Sequence, residues 1–575
     1  MSVFGLINRN LLSFVSARSF VVEMAKARIA FVSAIFILLY ALVAFRAFDL
    51  SVIRGPGFAQ AHQEKLSLAQ RIPHRGNIYD RNGVLLATSI EILSLYADPK
   101  MIIEPTKVAS ELKEIWPELD LEKPLSSAKR FIWVKRHITP DEHDRVMQIG
   151  QPGLQFKKER KRVYPMGRDI SHVVGCVSLD QEGLCGIERF HQDALNKGQD
   201  LTLTIDMRVQ HSLRKNLKLA FDKHSAIGAV GIVMDIQSGE IVAASSLPDY
   251  DPNILSAQNQ KSLFNRLSQG VYELGSTFKI FSTAGYLEYV DSDLGHKFDV
   301  TKPLKVGRFS INDYHAENRI LTTPEVFIHS SNIGSAFMGQ ALGTDRLKEF
   351  YASLGLLDPL NVSLKEKAKP LLPKRWGETT TLTASYGHGL AVTPLHLVRA
   401  TASILNDGIY VEPRFFKQDM VENIQKRVVS KATSDKIKQL LRSVVTHGTG
   451  KNADIHGFVV GGKTGTAEKS NEYGYDSSKL ISSFIGAFPM TSPKYLIFMM
   501  IDEPKATKDT YGYATGGWVA APFVKKIVAD MASLTLIPPV HDGSDHEILT
   551  KPLLKYLQPS IEGASAPGQT NLASN

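Results

Sequence analysis

Residues Ile29 to Phe45, IAFVSAIFILLYALVAF, form an unbroken apolar run without a charged residue. It has about the length a helix needs to cross a bilayer, and no polar face interrupts it as one would in a core helix. From there to about Asp222, short alternating segments mix with charged helical patterns such as PTKVASELKEIW, which predicts an elongated module of several lobes. At Ala226 the character changes. AIGAVGIVMDIQSGEIVAASSLPDYDPN reads as two β-branched runs joined at Gln237-Ser238-Gly239, the pattern of an antiparallel hairpin. Helical periodicity dominates from about Lys261 to Asn406, and strand-like runs return at FVVGG, SSFIGAFPM and YLIFMMID. Strands at both ends with helices between predict an α+β domain whose sheet is completed late in the chain. Beyond about Pro539 a polar Ala/Ser/Gly/Pro tail, QPSIEGASAPGQTNLASN, predicts disorder. The expected organisation is a short N-terminus (1–28), an apolar span (29–45), a membrane-proximal module (46–222), the α+β domain (223–538) and the tail (539–575).

Charge turns the apolar run into an anchor. Arg9, Arg18, Lys26 and Arg28 precede it against the single acid Glu23, so the positive-inside rule keeps the N-terminus cytoplasmic and exports the rest. The run is long for a signal peptide, and Arg46 stands where small residues precede a cleavage site, so the anchor is expected to stay. The net charge of +9 is spread along the chain with no basic run interleaved with aromatics, which argues against nucleic-acid binding. Cys176 and Cys185 have no metal-ligand spacing, so a structural metal is not expected. They read as two thiols or as one disulfide, which an oxidising compartment permits.

Two motif systems compete for Lys463. GFVVGGKT, Gly457 to Thr464, satisfies the phosphate-loop pattern, and YLIFMMIDE ends a strand on Asp502-Glu503 as a magnesium-binding strand would. The context is wrong: Phe458, Val459 and Val460 are strand formers, Gly465 and SNEYGYD start no helix, and an exported domain meets no ATP. The second system is Ser276-x-x-Lys279, then Ser330-Ser331-Asn332, then Lys463-Thr464-Gly465, in that order. Each part is weak alone, since Ser-x-x-Lys also begins at Ser110, Ser126 and Ser212, and Ser310-Ile311-Asn312 is a second Ser-x-Asn. Their joint occurrence is the motif set of penicillin-binding proteins and serine β-lactamases. The chemistry fits: residues three apart share a helix face, so Lys279 can reach the Ser276 oxygen, and desolvation or the charge of Lys463 can keep it neutral. Without the other two motifs, Ser276 would read as a helix cap with Lys279 in solvent.

With these motifs the chain resembles class B penicillin-binding proteins, most closely the division-specific peptidoglycan D,D-transpeptidases of Gram-negative bacteria. RIPHRGNIYDRNGVLLATS is similar to the family's membrane-proximal segment. KRVYPMGRDISHVVGCV and GLCGIERFHQDAL are similar to its pedestal, and GGKTGTAEK to its third motif. Leu274 replaces the usual proline before Gly-Ser, and His388 the usual glutamine of YGxG. The resemblance implies a serine β-lactamase/transpeptidase-like domain, an antiparallel sheet with helices, behind an elongated pedestal and a single transmembrane helix. It implies Ser276 as nucleophile, Lys279 as its base, Ser330 as proton relay, Asn332 as orienting group and Lys463 as charge donor. Thr464, Gly465 and Thr466 would hold the substrate's terminal carboxylate, with no metal or organic cofactor. It implies stem peptides ending in D-Ala-D-Ala, and β-lactams, as ligands, and the membrane, a septal glycan polymerase and other division proteins as partners. An elongation transpeptidase, a β-lactamase and a catalytically silent scaffold or drug sensor are the alternatives.

Overall fold

The computed structural model describes residues 4–49, 74–254, 261–307, 309–417, 426–471, 474–540 and 547–557. Met1–His74 and Arg75–Asn575 are separate units. In the first, one helix, α1 (Phe4–Phe48), carries the apolar run; its stretch Lys26–Phe48 is long and apolar enough to cross a membrane. This is consistent with a single-pass anchor.

The second unit begins with the membrane-proximal module. Its strands are β1 (Ile78–Tyr79), β2 (Leu85–Ala97), β3 (Ile132–Ile138), β4 (Leu154–Val163), the pair β5 (Cys176–Val177) and β6 (Gly183–Cys185), and β7 (Leu201–Thr202). β3, β2, β1 and β7 lie side by side in that order, and β4 also pairs with β2. Two amphipathic helices, α2 (Pro105–Ile115) and α3 (Pro140–Ile149), close a small separate core of Leu95, Val108, Leu112, Trp116, Val134, Ile138 and Val146. Thr139 caps α3 in a reciprocal box with Glu142 and Gly150 ends it in the left-handed conformation, so both ends of α3 are written locally.

The RGNIYDRNG segment explains how this module is tied down. Arg75 and Arg162 both donate to the buried Glu188, at 2.7 Å each, so one carboxylate ties two arginines together away from water. Asp80 accepts from the backbone N–H groups of Asn82, Val84 and Met207, and Arg81 reaches Glu240 at 2.6 Å in the following domain.

That domain is built on a five-stranded antiparallel sheet. After helix α4 (Met207–Lys223) come β8 (Gly228–Asp235) and β9 (Ile241–Leu247), the expected hairpin. The helical interval follows, with α5 (Lys279–Tyr289), α6 (Asn332–Leu342) and α7 (Lys431–His447) among its helices. Then β10 (Gly461–Asn471), β11 (Gly474–Phe488), β12 (Tyr495–Asp502) and α8 (Ala521–Leu534) complete it, in sheet order β10-β11-β12-β8-β9. The last three strands and the first two thus share one sheet.

Both faces of this sheet are covered. Ile497, Met499 and Ile501 of β12 join the core of α4 and α8, whereas Leu496, Phe498 and Met500 join the core that holds α5 and α7. An antiparallel strand usually alternates apolar and polar; here alternate residues enter different cores, so the run YLIFMMI is apolar throughout. Each such fully buried side chain contributes about 1.5–3 kcal/mol.

Three sequence expectations need correction. FVVGG is a strand only from Gly461: the Val459 carbonyl accepts from Met490 N and the Val460 carbonyl from the Arg442 side chain, so this backbone is engaged outside the ladder. The helical interval contains two small strand pairs, Lys297–Asp299 with Ile320–Thr322 and Leu304–Val306 with Phe309–Ile311, because their few apolar residues alternate rather than recur at helical spacing. Part of the tail expected to be disordered is ordered. Lys551–Tyr556 forms a short 3-10 helix, Leu553 is fully buried, and the Tyr556 carbonyl accepts from Thr322 Oγ1 at 2.9 Å. Its apolar residues Leu549, Leu553 and Tyr556 supply what the polar end lacks, and residues 558–575 lie outside the described residues.

Candidate active site

Gly275–Phe278 is a single 3-10 turn that runs directly into α5, and its cap Leu274 makes no side-chain cap bond. Ser276 therefore stands at the entry of a helix without being spent as its cap. α5 is buried from Lys279 to Leu287, a helix apolar on nearly all sides in the centre of the domain, so the nucleophile turn is held by packing on every face. Gly275 has φ +54° and a Cβ there would meet the Thr466 carbonyl oxygen at 2.8 Å. A Cβ on Gly465 would meet the Leu274 carbonyl at 2.9 Å and the Ser483 hydroxyl at 2.4 Å. Two glycines thus let the edge strand β10 lie against the nucleophile turn.

The eight residues singled out in the sequence converge here. Lys279 is fully buried, and its Nζ lies 3.0 Å from Ser276 Oγ, 3.1 Å from Ser330 Oγ and 2.8 Å from Asn332 Oδ1, with the Ser330 carbonyl also in hydrogen-bond contact. An ammonium would share three N–H donors among these four oxygens. The neutral amine that burial favours instead donates two N–H groups and accepts from the Ser276 hydroxyl on its lone pair. Lys463, also fully buried, donates to Ser330 Oγ at 3.0 Å and to the Thr464 carbonyl at 3.2 Å. The Ser330 hydroxyl therefore bridges two lysine nitrogens. Thr464 Oγ1 bonds Thr449 Oγ1 at 2.7 Å, and Thr466 Oγ1 accepts from Gly516 N at 3.1 Å.

Burial dominates the electrostatics. It holds the Lys279 pKa well below the ordinary lysine value, with the neighbouring Lys463 charge adding to the effect and Asp313 opposing it. Burial alone brings Lys463 down to about 7. Between that value and the usual lysine range the unfolded chain binds more protons than the folded one, so this group's contribution makes stability fall as pH drops through that window. Such a cost, kept in a cleft, marks a site selected for chemistry rather than for stability.

The second-order rate of acylation by a β-lactam is expected to fall on the alkaline side with a midpoint near about 7, where Lys463 loses its charge. Lys463→Arg, charged throughout, should remove that limb; an unchanged limb in this variant would assign it to another group.

Three residues at the site, Asp313, Asn312 and Thr449, were not identified by motif, and His388 was noted only as a departure from one. Asp313 accepts from Ser331 Oγ at 2.7 Å and from the backbone N–H groups of Asn332 and Ile333, and so fixes the start of α6 and the Asn332 side chain's origin. Ser330 sits immediately before it at φ +62°, a conformation that costs a non-glycine residue about 1–3 kcal/mol and needs such support. Asn312, set aside above with a decoy Ser-x-Asn, accepts from Asn332 Nδ2 at 2.9 Å through its carbonyl. Thr449 touches Thr464. His388 packs between Tyr386 and Tyr475 with ring centroids 5.3 Å away on each side, tilted against the first and edge-on to the second, and burial lowers its pKa to about 4, so it is neutral at neutral pH. An open cleft of about 360 Å³ adjoins the turn, lined by Tyr272, Glu273, Leu371, Gly389, Lys469 and Ile481.

The phosphate-loop alternative is incompatible with this geometry: Lys463 and Thr464 lie inside a ladder, with Lys463 opposite Ile485 and Thr464 opposite Phe484, and the chain continues as strand to Asn471.

An antiparallel sheet around a buried helix that begins with a serine–lysine pair defines a serine acyltransferase of the β-lactamase/transpeptidase fold. Residues 229–529 match the penicillin-binding protein transpeptidase domain and residues 70–232 the penicillin-binding protein dimerisation domain. The chain belongs to the transpeptidase-domain penicillin-binding proteins. It is 36% identical to the probable peptidoglycan D,D-transpeptidase FtsI of Caulobacter vibrioides, over 80% of this chain and 81% of that one. It is 28% identical to the peptidoglycan D,D-transpeptidase FtsI of Escherichia coli (84% and 87%) and 30% identical to stage V sporulation protein D of Bacillus subtilis (86% and 84%). Among solved structures, penicillin-binding protein 3 of Mycobacterium tuberculosis complexed with aztreonam shares the fold, with a TM-score of 0.66 over 81% of this chain and 97% of that one at 24% identity.

Proposed function

We propose that this chain is a peptidoglycan D,D-transpeptidase of cell division that works through an acyl-enzyme on Ser276. The observation that carries the mechanism is the fully buried Lys279 amine, whose hydrogen-bond partners are all oxygens, 3.0 Å from the Ser276 hydroxyl. Neutral Lys279 takes the Ser276 proton as Oγ attacks the carbonyl between the two terminal D-alanines of a stem peptide. Ser330, bridging Lys279 and Lys463, carries the proton to the leaving D-alanine nitrogen. Asn332 holds Lys279 and the peptide, and Lys463 with Thr464, Gly465 and Thr466 receives the terminal carboxylate. The backbone N–H groups of Ser276 and Thr466 form the oxyanion hole, a contribution typically worth about 10²–10³ in rate; the contact that Gly275 makes with Thr466 supports their pairing. The amine of a second stem peptide then resolves the acyl-enzyme.

A β-lactam enters the same first half-reaction and stays attached, because its ring-opened acyl group is not released by that amine. A fluorescent penicillin tests the reading. A lasting adduct is expected; rapid turnover would mean a β-lactamase, and no adduct a scaffold.

In this reading the catalytic domain lies outside the inner membrane and the N-terminus in the cytoplasm; the flanking charges Arg9, Arg18, Lys26 and Arg28 support that orientation. The division role rests on the similarity to FtsI proteins; docking on a septal glycan polymerase is part of the same proposal. Depletion is expected to give long filaments with continued side-wall growth. Rounded cells with normal constriction would assign the enzyme to elongation instead.

A further inference from the structure

Cys176 and Cys185 take no part in the site above, yet they are placed against each other with unusual care. They face across the antiparallel pair β5–β6 in direct register, and their sulfurs touch at 3.0 Å. Residues in such register have Cα atoms about 4.5–5.5 Å apart, inside the range of about 4.4–6.8 Å that a disulfide spans. Each cysteine is flanked by a glycine that permits this approach. A Cβ on Gly175 would meet the Cys185 carbonyl oxygen at 1.9 Å, and one on Gly186 the Gly175 Cα at 2.6 Å; both have positive φ, +86° and +63°. Among the described residues no cluster of His, Cys, Asp and Glu offers a metal site, so the pair is not half of one. Cys176 is buried, and Cys185 is partly exposed with its Sγ 3.1 Å from the Tyr250 hydroxyl.

We propose that Cys176 and Cys185 are an oxidation site of the exported protein, joined as an intrachain disulfide that staples the β5–β6 hairpin. The partly exposed Cys185 thiolate attacks a disulfide oxidant RSSR and releases one RSH. The Cys176 sulfur then attacks Cys185 in the mixed disulfide and releases the second RSH, so two thiols lose two electrons and two protons, and one RSSR becomes two RSH. The Cys185 thiol is held below its usual pKa chiefly by the Cys176 thiol, while Cys176 is raised; the single Tyr250 O–H, donated to the Ser171 carbonyl at 3.0 Å, turns to the Cys185 thiolate 3.1 Å away as it forms.

The hairpin is worth stapling because it joins the two parts of this unit. The loop between the strands meets the membrane-proximal module: Arg136 reaches the Asp180 carboxylate at 2.8 Å and the Leu179 carbonyl at 3.2 Å, and Arg75 the Gln181 carbonyl at 3.0 Å. Its base meets the catalytic domain through Tyr250 and through Gly186 N, which donates to Glu366 at 2.6 Å. A disulfide at the base holds both sets of contacts in one rigid piece.

Both cysteines fall in one tryptic peptide, Asp169–Arg189, which makes the test direct. The full-length protein is taken from bacterial membranes with thiols quenched by acid and alkylated before digestion. The expected peptide carries no alkyl group and is two hydrogens lighter than the dithiol; cutting after Glu182 should leave its halves linked until reduced. Two alkyl groups, both in membrane-derived protein and after incubation with oxidised glutathione, would overturn the proposal, as would a disulfide-linked dimer on a non-reducing gel. Cys176→Ser should trap a glutathione adduct on Cys185, and Cys185→Ser none on Cys176; the reverse pattern overturns the order of attack. Equal penicillin labelling of both variants establishes that they fold, and the wild-type mass stands without them.

Discussion

Ser276→Ala is expected to abolish the covalent penicillin adduct completely while the protein stays folded and membrane-bound. The Ser276 oxygen bonds the Lys279 amine and caps nothing: the turn Gly275–Phe278 is held by backbone bonds and by the packing of Phe278 and α5. Loss of one partly exposed oxygen should change stability by no more than about 0.5 kcal/mol. Loss of the nucleophile removes the reaction itself, a penalty of about 10⁶ in the rate of a well-studied serine protease. Intact-mass measurement after incubation with penicillin reads the adduct, and thermal melting reads the fold. An adduct surviving in the alanine variant would falsify Ser276 as the nucleophile.

The next largest effect is expected at Lys279. Lys279→Arg replaces an amine whose pKa burial and the Lys463 charge hold well below the usual lysine range with a guanidinium that does not deprotonate. If the amine is the base, the acylation rate should fall by about 10²–10⁴. Arginine is also larger, and the space around Lys279 is filled by Ser276, Ser330 and Asn332, so Lys279→Met serves as a second variant that restores an uncharged side chain of similar length without a lone pair for the proton. Both should lose acylation alike. Near-normal acylation in either would place the base elsewhere. Paired with Lys463→Arg, whose effect is on the alkaline limb, the two lysines separate into a group that must be neutral and a group that must be charged.

Each motif taken singly, the apolar span, the hairpin at Gln237-Ser238-Gly239 and the strands of SSFIGAFPM and YLIFMMID are legible in the chain, because each depends on residues close together in sequence. The sequence also separated Ser276 from the other Ser-x-x-Lys serines, but only by the company of motifs far along the chain. Local pattern misjudged Phe458–Val460, whose strand-forming side chains lie on a backbone claimed by Met490 and Arg442, and the tail near Leu553, whose few apolar residues find a core only after the chain has folded. The roles of Asp313, Asn312 and Thr449 were legible in no motif, since they act by approaching Asn332 and Thr464 across folded segments. In the motifs Lys279 reads as a base that desolvation or the charge of Lys463 can keep neutral, but no motif shows how far either lysine is buried. The tertiary structure alone decided that both are buried around one serine hydroxyl, where lost hydration outweighs their ordinary basicity and leaves one of them free to take a proton.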